Sequence, residues 1–186
     1  LKKLKRNVIA GFNLTCLGDE RCYSYLPSRN GNTYSDNVAK HVLYYTDKNF
    51  KKYSWLSRGS DERQYCAPGV DLPIATVMRS KYGTYPEYHT SLDKIGSVVT
   101  EKGLRQSFNL YKKIIFTIEN DLKPKTSIKP KTNIVCEPML SKRNLYPTFS
   151  LKKRNKDSHN MLNFLSFWDG NHTLLEISDK ISLKFD

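Results

Sequence analysis

The chain has 186 residues, 38% of them hydrophobic and 26% charged, with 12 Tyr and 8 Phe. That length and mix suit one domain with a real core plus a smaller appendage, and they exclude wholesale disorder, collagen-like repeats and coiled coil. The net charge of +13 invites a nucleic-acid reading, but the excess is local. Residues 1–6 supply +4, and residues 121–156 hold ten basic residues against two acidic ones. The remainder is nearly neutral at +1, so nucleic acid is not the expected partner of the body. No apolar run approaches the roughly 20 residues of a membrane span. The four cysteines (Cys16, Cys22, Cys66 and Cys136) show no CxxC pair. They are read as reduced, buried thiols of a soluble, cytoplasmic protein.

In chain order, residues 1–6 look like a basic, tag-like stretch, after which the chain enters a buried strand almost at once. Residues 8–17 are that strand, a β-rich apolar run whose carboxyl end delivers Asp19 within Gly18-Asp19-Glu20-Arg21. A turn-rich loop spans Pro27 to Gly31. Ser35-Asp36 then opens a helix to about Thr46, with Val38, Val42 and Tyr45 on one face. Residues 53–56 read as a short strand, 58–64 as a polar loop, and 72–78 as another continuous apolar strand. An aromatic loop, 82–89, carries Gly83 and Pro86. Residues 101–119 form the strongest helical pattern, with Leu104, Phe108, Tyr111, Ile115 and Ile118 as the expected core face. Alternating strands and helices predict an α/β sheet with helices on its faces.

Past Asn120 the character changes. Domain boundaries are placed at 1–120 for the α/β domain, 121–132 for a basic, proline-bearing linker, and 133–186 for a small β segment and the start of a winged-helix-like tail. Residues 134–137 and 146–150 are candidate short strands, and 160–168 a helix ended by Asp169-Gly170. Thr173-Leu174-Leu175-Glu176 is a capping box that opens a second helix. With the chain stopping at Asp186, no third helix or wing is expected, so the tail is read as truncated.

Three constellations carry possible chemistry. Asp19 sits where ligands bind in open α/β sheets, beyond the carboxyl end of a strand. The polar loop Gly59-Ser60-Asp61-Glu62-Arg63-Gln64 precedes an apolar strand; on its own it reads as a solvated loop with Asp61 and Arg63 as a surface pair. Tyr85-Pro86-Glu87-Tyr88-His89-Thr90-Ser91-Leu92-Asp93 places His89 after a strand, with Asp93 near enough to orient its ring. Zinc accepts both such donors, imidazole nitrogen and carboxylate oxygen.

The order Gly-Asp-Glu-Arg, then Ser60-Asp61-x-x-x-Tyr65-x-x-x-Gly69-x-x-x-Pro73, then His89-Thr90-x-x-Asp93, then a long helix, resembles the second half of the zinc-dependent aminopeptidase fold. It is most similar to the bacterial aminopeptidase-like proteins often encoded beside polysaccharide-biosynthesis genes, which carry a winged-helix tail. That resemblance implies a partial three-layer αβα zinc-exopeptidase fold and hydrolysis of a peptide or other amide by metal-activated water. It makes Asp19 and His89 metal ligands, and Asp61, Glu62, Arg79, Tyr88 and Asp93 surrounding or substrate-binding residues. Glu62 stands where relatives carry His in a Ser-Asp-His-x-x-Phe motif, and Tyr65 where they carry Phe. The family's earlier His, its earlier Asp and its glutamate general base would precede Leu1, so no catalytic residue is identified here. The chain alone is expected to be inactive. A competing reading is a non-catalytic binding or regulatory module whose basic segment meets acidic partners.

Overall fold

The computed structural model describes residues 2–123, 142 and 156–185, and the chain divides into two units, Leu1–Ile118 and Glu119–Asp186. Lys2–Asn7 form a helix, α1, where the sequence suggested only a tag. Lys5 Nζ of α1 donates to the Gly69 carbonyl at 3.1 Å.

The first unit is built on a four-stranded sheet: β1 (Gly11–Asn13), β2 (Ser24–Leu26), β3 (Lys51–Lys52) and β4 (Ile74–Met78). Their order is β1-β4-β2-β3, with β1/β4 and β2/β3 parallel and β2/β4 antiparallel. The apolar run at 72–78 yields β4, an inner strand flanked on both sides, whose Ala75 to Met78 are all buried. The run at 8–17 gives only three strand residues. Asp19 therefore sits six residues beyond the strand end. The expected strand at 53–56 is replaced by β3 just before it and a 3-10 turn at Trp55–Ser57. There Ser54 caps the turn by accepting the Leu56 N–H, so a local side-chain bond wins over strand propensity. The 58–64 loop also contains a short helix, α3 (Glu62–Tyr65).

Helix α2 (Tyr34–Thr46) buries Val38, Val42 and Leu43. Its first-turn Asp36 reaches back to the Thr33 N–H at 2.8 Å and accepts hydroxyls from Tyr25 and Ser28. Burial would push that carboxyl up, yet the Ser28 and Tyr25 hydroxyls outweigh it and hold it below the usual range.

Helix α4 (Glu101–Asn120) corrects the sequence reading by one residue of rotation. The buried positions are Gly103, Ser107, Leu110, Ile114 and Thr117, while Leu104, Phe108 and Ile115 are exposed. The cause is close approach: a Cβ on Gly103 would lie 1.9 Å from the Gly18 carbonyl oxygen, and Ser107 Oγ donates to the Leu17 carbonyl at 2.7 Å. A face of small residues lets the helix lie on bare backbone, which a larger apolar face would prevent.

In the second unit, α5 (Lys156–Ser166) and α6 (Leu174–Lys180) appear near the expected places. Thr173 and Glu176 complete their capping box, and Leu175 and Ile177 are buried. The expected strands at 134–137 and 146–150 lie outside the described residues. Among the described residues, no helix is long and apolar enough to cross a membrane. Cys16, Cys22 and Cys66 are free thiols. Only Cys66 is buried; the other two are half-buried, against expectation, and Cys136 lies outside the described residues.

Candidate functional site

The chain leaves β1 and turns through Cys16, whose φ of 48° is left-handed, before reaching Asp19. Residues 79–80, directly after β4, fix this loop. The Arg79 N–H donates to the Cys16 carbonyl at 2.9 Å, and Arg79 Nε donates to the Asp19 carbonyl at 2.6 Å. The Ser80 N–H and hydroxyl donate to the two Asp19 carboxylate oxygens at 2.8 and 2.9 Å, and the Arg21 N–H adds a third bond at 2.9 Å. The Asp19 carboxylate is thus oriented from two sides. Its neighbour Glu20 takes the Thr100 hydroxyl at 2.6 Å and the Lys102 ammonium at 2.7 Å. Those two bonds, Lys102 first, hold the Glu20 carboxyl below its ordinary value. Asp19, Glu20 and Arg21 line one wall of a cleft of about 320 Å³, with Ser97, Val98 and Thr100 completing it.

The aromatic loop lies against the same edge. Arg21 pairs with Glu87 at 2.8 Å and sets its guanidinium 5.4 Å above the Tyr85 ring. Arg21 follows Asp19 by two residues and Glu87 precedes His89 by two, so this pair ties together the loops that carry the two expected ligands. His89 itself is exposed, left-handed at φ 57°, and stacked on Tyr88 with centroids 4.0 Å apart. Asp93 accepts the Tyr85 hydroxyl at 3.2 Å; the ring it orients is that of Tyr85. The same hydroxyl contacts Cys16 Sγ at 3.8 Å. Tyr88 is half-buried against the cluster of Leu26, Met78 and Tyr82.

The polar loop behaves differently from its sequence reading. Asp61 is exposed at the start of α3 and makes no capping bond with its side chain. Glu62 is completely buried. Its carboxylate accepts Asn13 Nδ2 at 2.8 Å, the Gly59 and Ser60 N–H groups at 2.8 and 2.9 Å, and the Tyr82 hydroxyl at 2.7 Å. Burial pushes this carboxyl up, but the Ser60 N–H, the Tyr82 hydroxyl and the Gly59 N–H outweigh it and leave it below its ordinary value.

Structural zinc takes four ligands and catalytic zinc three plus water. Among the described residues, no group of three or more His, Cys, Asp or Glu is placed to hold a metal, and Asp19 already accepts three donors. The described residues do not by themselves make a zinc site. Sequence reasoning overlooked Ser80, which makes two of the three bonds to the Asp19 carboxylate. The only signal was a polar Arg79-Ser80 pair placed immediately after an apolar strand.

A family model described as a domain of unknown function, DUF4910, matches residues 1–121, and one described as a winged helix-turn-helix matches residues 128–186. A Clostridium acetobutylicum protein, described as a candidate polysaccharide biosynthesis protein with an aminopeptidase-like domain, is 33% identical over 98% of this chain and 41% of its own length. The crystal structure of a candidate peptidase from the same species matches with a TM-score of 0.79 at 31% identity, covering 99% of this chain and 39% of that one. The chain therefore spans about two-fifths of the length of these relatives. Its α/β unit has the fold of a peptidase-like region, followed by a winged-helix domain.

Proposed function

The chain belongs to the DUF4910 family, and on that premise we propose that it is part of a zinc-dependent aminopeptidase-like hydrolase acting on a peptide or related amide in the cytoplasm. The observation that carries the reading is the union of two loops at one sheet edge. Arg21 and Glu87 bind the Asp19 loop to the His89 loop, and the Asp19 carboxylate is held oriented at the wall of a cleft. Asp19 and His89 would supply two zinc donors. The remaining ligands and the general base would come from the region of the relatives that this chain does not span. Hydrolysis by metal-activated water is what the resemblance implies for the whole protein. Arg79 and Tyr88 would contact substrate, with Asp61, Glu62 and Asp93 around them. The free thiols of Cys16, Cys22 and Cys66 support a reducing compartment.

Metal analysis of the longest native form of the protein tests this reading. It should contain zinc, lose it on Asp19→Ala or His89→Ala, and release amino acids from aminoacyl amides. The 186-residue chain alone should bind zinc weakly and show no such activity. Full zinc occupancy in both variants would remove the ligand assignment, and hydrolysis by the chain alone would show that its base was overlooked. The winged helix-turn-helix match favours a second role for residues 128–186, as a binding module for an acidic partner. Binding to such a partner that survives loss of the metal would support that role.

A further inference from the structure

Helix α4 turns small residues onto the loop before Asp19, and large apolar side chains of its sequence pattern are left outside. Leu104, Phe108 and Ile115 are 48%, 65% and 54% exposed. Spaced by four and then seven residues, they form one stripe along the helix. Tyr111 lies between this stripe and the buried face. Its hydroxyl donates to the Val77 carbonyl at 2.6 Å, and its ring meets Phe12 of β1 edge-on with centroids 6.1 Å apart. Tyr111 thus joins the stripe to β1, where Ile9 and Leu14, on either side of the strand, are also exposed.

The two outer strands of the sheet differ in how their edges are kept. β3 is Lys51-Lys52, both exposed, and lysines are one of the devices that keep a sheet edge from pairing. β1 has no such guard, since residues 7–18 include no charged side chain. The Gly11 N–H donates to the Pro73 carbonyl on the β4 side. In this parallel register the Phe12 N–H and carbonyl therefore point to the outer edge, where no described strand pairs with them.

From these observations we propose that the outer edge of β1 and the stripe of Leu104, Phe108 and Ile115 are one docking surface, and that its occupant is the part of the longer protein that this chain does not span. That part adds a strand to β1 and covers the stripe with apolar side chains. Length favours this occupant over a second copy. Relatives of 31–33% identity match 98–99% of this chain but only 39–41% of their own length, so most of each relative has still to pack against some face. An unguarded sheet edge beside an apolar helix stripe is where that packing gains most. The added strand lies about 4.8 Å from β1, the strand that leads into Asp19, so the same docking brings the remaining chain towards the site. The inference shares with the hydrolase reading only the premise that the working protein extends beyond this chain; it does not need zinc.

The test is hydrogen exchange, resolved to single amides by mass spectrometry with electron-transfer fragmentation, at low protein concentration and with a metal chelator present. The Phe12 amide should exchange at least about tenfold more slowly in the longest native form than in the 186-residue chain. Leu104→Glu and Ile115→Glu should leave exchange and melting of the 186-residue chain unchanged. In the longest form they should erase the added protection and lower Tm by at least about 5 °C. If a variant stops only the longest form from folding, the stripe is needed there and the proposal is supported; Ile115→Ala then gives the graded effect. Equal exchange of Phe12 in the two forms overturns the inference, and so do stripe variants that act alike in both. Protection of Phe12 that grows with protein concentration gives the face to a second copy and overturns the assigned occupant. With chelator present throughout, failure to find zinc or hydrolysis leaves each of these outcomes as it stands.

Discussion

Glu62 and Asp19 are both buried carboxylates held by main-chain N–H groups and hydroxyls, yet they do different things. Glu62 has no exposed surface, takes four donors, and joins β1, the Gly59 loop and Tyr82 into one knot. Asp19 is also buried but lines a cleft, and its three donors come from one neighbouring strand end and its own loop. A fully sealed carboxylate that ties two distant segments, β1 and Tyr82, to its own loop serves stability. One whose partners only orient it, at the wall of a cleft, is placed as the proposed ligand role requires. Burial alone does not separate the two; the origin of the donors and the access do.

The sharpest way to break this contrast is Glu62→Ala. It strands Asn13 Nδ2, two main-chain N–H groups and the Tyr82 hydroxyl, and should cost about 3–5 kcal/mol, read as a lowered urea midpoint. Glu62→Gln should fall between this variant and the native chain. The same carboxylate governs acid sensitivity. Its folded value is depressed below 4.5, and that of Asp36 below 3.8. Their contribution is therefore complete above those values and drains away as pH falls through the lower folded ones. Glu62→Gln should flatten that acid limb in urea titrations run at pH 5 and below.

Gly103→Ala comes next. Its Cβ meets the Gly18 carbonyl at 1.9 Å, a backbone collision that no rotamer relieves, and about 3 kcal/mol of stability should be lost. Ser80→Ala removes one donor to Asp19 but leaves the Ser80 N–H in place. Its cost should be only about 1 kcal/mol, with the amide shifts of residues 19–21 moving. A loss as large as that of Glu62→Ala would erase the distinction drawn above. The smallest effect belongs to Phe108→Ser on the exposed face of α4. At 65% exposure, the stability read from urea unfolding should change by no more than about 0.5 kcal/mol. A larger loss would restore the face that spacing alone suggested.

How much was legible follows from the range of the interactions. α6 was readable because Thr173 and Glu176 settle its start within four residues, and β4 because five β-prone apolar residues run together. β2 was missed: its three residues owe their state to partners on β3 and β4, not to their own pattern. The α4 face was misjudged because apolar spacing was counted while Gly103 and Ser107, which do the docking, carry almost no hydrophobic signal. At the site, position after a strand drew attention to both Asp19 and His89, and the resemblance made both of them ligands. The Ser80 bonds to Asp19 span 61 residues, and the sealing of Glu62 draws on Asn13 from 49 residues away. No local pattern encodes either pairing.

The contact of Gly103 on Gly18 also has a mechanical meaning. Most helices rest on a layer of side chains that can change rotamer and absorb small displacements. Here helix backbone lies on loop backbone, and Ser107 adds a hydrogen bond to the Leu17 carbonyl one turn further on. α4, with its 20 residues, is a rod about 30 Å long. A tilt applied anywhere along it would reach the Asp19 loop almost undamped, as a lever moves its fulcrum plate.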